Sequence, residues 1–139
     1  MKTLRRVCAS TTWALILSAT CFAQHYTQTN LVSNTAGVAP VTEPQLINPW
    51  GLSRASYSPW WVSDQATGFS TLYNGAGAKQ ALIVTIPSAD PNSKKTPTGT
   101  PTGIANGNQT DFLPAPDEPA VFLFSTIDGT MLDGTSTWL

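Results

Sequence analysis

The sequence predicts an all-β fold assembled from short antiparallel strands. Three observations carry that expectation: four β-type runs lie between Asn48 and Pro87, turn chemistry separates them, and the pattern of the first run returns 52 residues later. The runs are Asn48-Pro49-Trp50-Gly51-Leu52, Trp60-Trp61-Val62-Ser63-Asp64, Phe69-Ser70-Thr71-Leu72-Tyr73 and Ala81-Leu82-Ile83-Val84-Thr85-Ile86. Connections this tight favour an up-and-down four-stranded sheet, the size of one propeller blade.

The N-terminus reads as a segment to set apart. Lys2, Arg5 and Arg6 form a basic region, Trp13 to Leu17 centre a short apolar run, and small residues follow to Ala23. That is a secretory signal pattern, too short for a membrane span, with cleavage expected after Ala23. The predicted organisation is a signal peptide over 1–23, an N-terminal strand and connector over 24–47, and a partial propeller over 48–139. Within the last part, 48–87 form a full blade, 88–100 a loop and 101–139 an incomplete second blade. Removing 1–23 leaves Arg54, Lys79, Lys94 and Lys95 against all eight acidic residues, a net charge of −4. A mildly acidic, charge-poor surface argues against nucleic acid as a partner, because phosphates need a basic patch. Cys8 and Cys21 fall inside the signal, so the processed chain is expected to have no disulfide, thiol nucleophile or Cys-based metal site. Its predicted location is extracellular or periplasmic, with no membrane span after cleavage.

Tyr26 to Val32 is rich in strand formers and predicts a strand. Ser33 to Pro44 holds Gly37, Pro40 and Pro44 and reads as an extended connector. In the first blade Trp60 and Val62 should face one way, Trp61 and Ser63 the other. Phe69, Thr71 and Tyr73 should share a face. Asn74-Gly75 is the strongest turn signal, and Pro87 closes the Ala81–Ile86 run. Trp50, Trp60, Trp61 and Phe69 need a neighbouring sheet to cover them. Ser88 to Pro101 is too rich in proline for a packed element. Pro101-Thr102-Gly103-Ile104 then repeats Pro49-Trp50-Gly51-Leu52, at a period that suits propellers. Ala120 to Ser125 is apolar on both faces and reads as a buried strand, Asp128-Gly129 as a hairpin turn, and Thr130-Met131-Leu132 as the start of the next strand.

Pro-Trp-Gly-Leu, Trp-Val-Ser-Asp, Thr-Gly and Ser-Thr-Leu-Tyr, in that order, resemble the NHL-repeat pattern of β-propellers. More closely, the run resembles a family of uncharacterised secreted bacterial proteins that share Asn-Pro-Trp-Gly-Leu and Trp-Val-Ser-Asp. The resemblance covers Tyr26–Val32, Asn48–Ser53, Ser58–Asp64, Gly68–Gly75, Val84–Pro91 and Pro101–Ile104, with Phe122–Thr130 matching more loosely. It implies a full propeller; a six-bladed ring of about 40–50 residues per blade needs roughly 240–300 residues. About one and a half blades are present, so the expectation is a truncated propeller. Its Tyr26 strand would close the ring in longer relatives, and its unpaired edges would self-associate.

Chemistry-bearing residues are sparse. No catalytic, cofactor-binding or metal-binding residue is assigned, and no cofactor is implied. Asp64, Asp111, Asp117, Glu118, Asp128 and Asp133 are the acids near strand positions. Asp64 precedes a hairpin and reads as a turn cap. Asp128-Gly129 and Asp133-Gly134 lack the acidic alternation and closing Glu of a calcium loop and read as turns. Asp117-Glu118 stands between prolines and reads as solvated loop. His25 sits at the start of the processed chain, an implausible triad member. Asn108-Gln109-Thr110 is a glycosylation sequon. The tryptophans alternate with Val62 and Ser63 and read as core before sugar platform. Two functions follow: a non-catalytic secreted module binding a protein, peptide or glycan, or a fragment of a propeller lyase or hydrolase.

Overall fold

A computed structural model describes residues 26–90, 92, 98–107, 110, 112–113 and 116–134. The expected signal, both cysteines, His25, Asn108 of the sequon and Asp111 lie outside the described residues. The described residues form strands, turns and bends with no helix, hence no helix able to cross a membrane.

Sheet one is a four-stranded antiparallel meander of β3 (Pro49–Ser53), β4 (Trp60–Asp64), β5 (Phe69–Tyr73) and β6 (Lys79–Thr85), in that spatial order. β4 and β5 coincide with the predicted runs. Their connection, Gln65–Gly68, folds back because Gly68 takes a positive φ of 75° and donates its N–H to the Asp64 carbonyl. The next turn is fixed by Asn74, whose side-chain oxygen accepts from the Ala76 and Ala78 N–H groups. The left-handed residue there is Gly77, at φ 83°, not Gly75. Because Tyr73 pairs with Lys79 across a bulge, β6 starts two residues earlier than the apolar run does.

Sheet two contains β7 (Pro101–Asn106), β8 (Phe122–Thr126) and β9 (Met131–Gly134), also an antiparallel meander. Gly129, at φ 84°, makes the expected Asp-Gly hairpin turn. The two sheets repeat one another rung by rung. Pro49↔Asp64, Leu52↔Val62 and Ser53↔Trp61 in sheet one reappear as Pro101↔Thr126, Ile104↔Phe124 and Ala105↔Leu123 in sheet two. The shift is 52 residues in the first strand and 62 in the second, and both first strands carry a bulge just after the proline.

The core lies between the sheets. Trp61, Leu72, Val84 and Ile86 of the first unit pack against Val121, Phe122 and Phe124 of the second. The Trp61 and Phe122 rings stack with centroids 4.1 Å apart. At one edge of this interface β3 lies on β7 with little room. A Cβ on Gly51 would stand 2.5 Å from the Thr102 carbonyl oxygen and 2.8 Å from the Ile104 nitrogen, so only glycine lets the two backbones approach. The Asn106 N–H donates to the Ser53 hydroxyl across the same gap, at 3.1 Å.

Three expectations are corrected. No strand spans Tyr26–Val32; only β1 (Val32–Ser33) forms, and it pairs with β2 (Val41–Thr42), inside the supposed connector. That pair is parallel and lies outside the predicted blades, whose strands are antiparallel as expected. β8 is not buried on both faces: Phe122, Phe124 and Thr126 are buried, while Leu123 and Ser125 are half-exposed, because only one face of sheet two meets sheet one. Within the 88–101 loop Thr98 bridges to Pro87, and Gly99 donates to the Ile86 carbonyl.

Candidate functional site

The register of sheet one divides its side chains between two faces. Trp61, Ser63, Ser70 and Leu72 face sheet two. Trp60, Val62, Asp64, Thr71 and Tyr73 face the other way, as the alternation predicts, with Leu52, Lys79 and Ile83 beside them. The N-terminal segment covers part of this outer face. Gln45 is its fulcrum: its carbonyl accepts from the Thr67 hydroxyl at 3.0 Å and its side-chain oxygen from the Lys79 ammonium at 2.9 Å. Leu31 closes over Gly77, where an added Cβ would fall 2.8 Å from the leucine Cβ.

The β3 side of the outer face stays open. Trp50 and Leu52 are 60% and 61% exposed, which corrects the expectation that a neighbouring sheet covers Trp50. Between them and the N-terminal segment runs a groove of about 250 Å³ lined by Leu31, Leu46, Leu52, Trp60, Val62 and Tyr73. The Arg54 guanidinium stands 5.3 Å from the Trp60 ring centroid, a cation–π contact at the rim. A smaller cavity of about 70 Å³ lies between the sheets, lined by Trp61, Val84, Ile86, Phe122, Phe124 and Leu132.

Beneath the covered half of the outer face sits a polar cluster. Asp64 is wholly buried. One of its oxygens accepts from the Thr71 hydroxyl at 2.7 Å, Thr71 accepts from the Tyr73 hydroxyl at 3.0 Å, and Asp64 Oδ1 has no partner. Burial therefore dominates and pushes the Asp64 carboxyl up to about 6, although the Thr71 bonds favour the charged form. Burial likewise raises the Tyr73 phenol to about 12. Glu43, also buried, behaves oppositely. Its burial penalty is outweighed by the Lys79 ammonium 2.6 Å away and by the Gln45 N–H, which hold its carboxyl below the usual value. The expected turn cap at Asp64 is thus only half right: its backbone carbonyl serves the Gln65–Gly68 turn, while its side chain points into the protein.

Asp117, Glu118 and Asp128 fall where the sequence puts them, whereas the turn expected at Asp133-Gly134 does not form: both residues belong to β9 and pair with β8. Asp117 and Glu118 are exposed, with Asp117 at a φ of 61°. Asp128 is exposed in its turn, and the Thr126 hydroxyl and the Thr130 N–H hold its carboxyl below the ordinary value. Asp133 is exposed on β9 opposite Leu123. Glu43 and Lys79 carry no signal in the sequence; their pairing depends on how the N-terminal segment crosses the sheet. Among the described residues no three His, Cys, Asp or Glu side chains come together as a metal set. No family model, curated protein or solved structure matches the chain.

Proposed function

We propose that the chain is a secreted, non-catalytic binding module built from two successive blades of the β-propeller type. The rung-by-rung repeat of sheets one and two, bulge included, supports the blade reading. Binding rests above all on the open β3 side of sheet one, where Trp50, Leu52 and Trp60 offer aromatic and aliphatic surface beside a groove. Contiguous exposed apolar surface on a small soluble domain marks an interaction site. The ligand classes are protein, peptide and glycan; the acidic balance of the processed chain argues against nucleic acid. Export rests on the Lys2–Ala23 pattern, and the intact mass of the recovered protein tests it: a product lacking residues 1–23 is expected. For binding, peptide and glycan arrays probed with the wild type and with Trp50→Ala are expected to show ligands that the variant loses.

One observation favours the second reading, a fragment of a propeller lyase or hydrolase. A carboxyl raised to about 6 beside two hydroxyl groups is the kind of group an active site uses. Its complete burial weighs the other way, since no substrate atom reaches it. Turnover of a sugar or ester substrate that disappears in Asp64→Asn would establish the enzyme and remove the first reading.

A further inference from the structure

We propose that the open face of sheet one receives the outer face of sheet two from a second copy of the chain, head to tail. This rests on reading the chain as a binding module and names its partner. The argument is that the interface inside the chain has a counterpart at each end. Within the chain, the Gly51 side of sheet one packs on the Phe122 side of sheet two, with Gly51 under Thr102 and Ile104 and Trp61 stacked on Phe122. Shifting by one unit, Gly51 becomes Gly103, Thr102 becomes Trp50, Ile104 becomes Leu52, Trp61 becomes Leu123 and Phe122 becomes Trp60.

These counterparts are in the condition an unfilled interface requires. Gly103 is exposed, and a Cβ there would meet only the Ser125 hydroxyl of its own sheet. Leu123 is half-exposed, and Met131, beside it on the same face, is 69% exposed. Trp50 and Leu52 are the exposed hydrophobes of β3. The N-terminal segment covers the β5 and β6 side of sheet one, where Lys79 meets Glu43. It leaves free the outer face of β3, the counterpart of the β7 face that meets Gly51 in the internal interface. Two contacts are not repeated: Ala105 stands at the rung of Ser53, so the hydroxyl bond to the neighbouring strand has no counterpart, and the exposed Asp133, paired with Leu123, stands where core Leu72 pairs with Trp61. Such an interface uses different patches on the two copies and therefore propagates, closing into a ring or running on as a filament.

Two like-charged substitutions test the geometry. Leu52→Lys blocks the receiving face and Leu123→Lys the inserting face, each at a position already part-exposed. Mass is measured by sedimentation up to about 100 μM, far above the Kd of a stable interface. The wild type is expected to at least double its monomer mass. Each variant alone should stay monomeric, and their equimolar mixture should form a 1:1 dimer that grows no further, since one intact interface remains. The dimer also proves that both variants are folded. A wild type that stays monomeric overturns the proposal, as does a variant that dimerises alone, which would mean a face pairing with itself. A monomeric mixture of two variants with wild-type far-ultraviolet circular dichroism overturns it too. The binding-module reading is scored separately: a monomer that still retains array ligands keeps that reading and loses only the second copy.

Discussion

The two sheets share a register but not a setting. Gly51 is pressed against backbone, while Gly103 faces open space beyond one rotatable hydroxyl. Ser63 is wholly buried with an unpartnered hydroxyl; Ser125, at the same rung, accepts from the Gly103 N–H and contacts the Thr102 hydroxyl. Asp64 turns inward beneath the N-terminal segment, whereas Thr126 engages its own turn through Asp128 and Thr130. The repeated backbone therefore does not set how polar each position is. What covers a face does: among the described residues, sheet one has neighbours on both faces, sheet two on one. Burial raises the Asp64 carboxyl at one rung, while the buried hydroxyl at its counterpart, Thr126, is satisfied within its own turn.

That comparison can be broken at its shared centre. Phe122→Ala removes the ring stacked on Trp61 and should cost about 3–5 kcal/mol in urea unfolding. Loss confined to sheet two, with sheet one's transition unchanged, would show that the sheets do not share a core. The glycine pair sharpens the contrast. Gly51→Ala should destabilise by more than about 2 kcal/mol, because the clash is with backbone, and Gly103→Ala by less than about 1 kcal/mol. Equal losses, measured at a dilution where no assembly occurs, would remove the distinction. Lys79→Met leaves Glu43 buried without its cation and should cost about 2 kcal/mol, less than a fully buried pair because Lys79 is partly exposed. The last contrast is a pH dependence. Asp64 takes up protons more readily folded than unfolded, so its contribution is complete below its ordinary 3.8 and is lost as pH rises through about 6. Asp64→Asn should match the wild type near pH 4 and exceed it by about 1–2 kcal/mol at neutral pH. Glu43 titrates in the opposite sense, so the difference between the two proteins, not either curve, is the readout.

Strand content was most legible where alternation was strict. Trp60–Asp64 and Phe69–Tyr73 form as read because each side chain's neighbour across the ladder lies close in sequence. Tyr26–Val32 has the same strand-forming composition yet yields one strand residue, Val32, since propensity says nothing about a partner. The return of Pro-x-Gly after 52 residues announced the second sheet; the bulge that both first strands carry after the proline was not read from it. The site was hardly legible. Trp50 looks like core by type and lies open, while Asp64 looks like a turn residue and lies inside. Each outcome depends on the path of residues 31–47, which no local pattern encodes.

The crossing of that segment over sheet one has a consequence for the order of events in time. The hairpins of sheet one close over the four residues Gln65–Gly68 and the five residues Asn74–Ala78, whereas Lys79 reaches back 34 residues to Gln45. Short loops close fastest, so the meander zips first and the segment settles onto a finished surface. A few polar contacts and Leu31 over Gly77 then hold it to the sheet, and a two-residue ladder ties the segment only to itself. The amides of Val41 and Glu43, bonded to Leu31 and Ser33, thus exchange with solvent by local lifting, while those of β4 and β5 wait for the whole sheet to open.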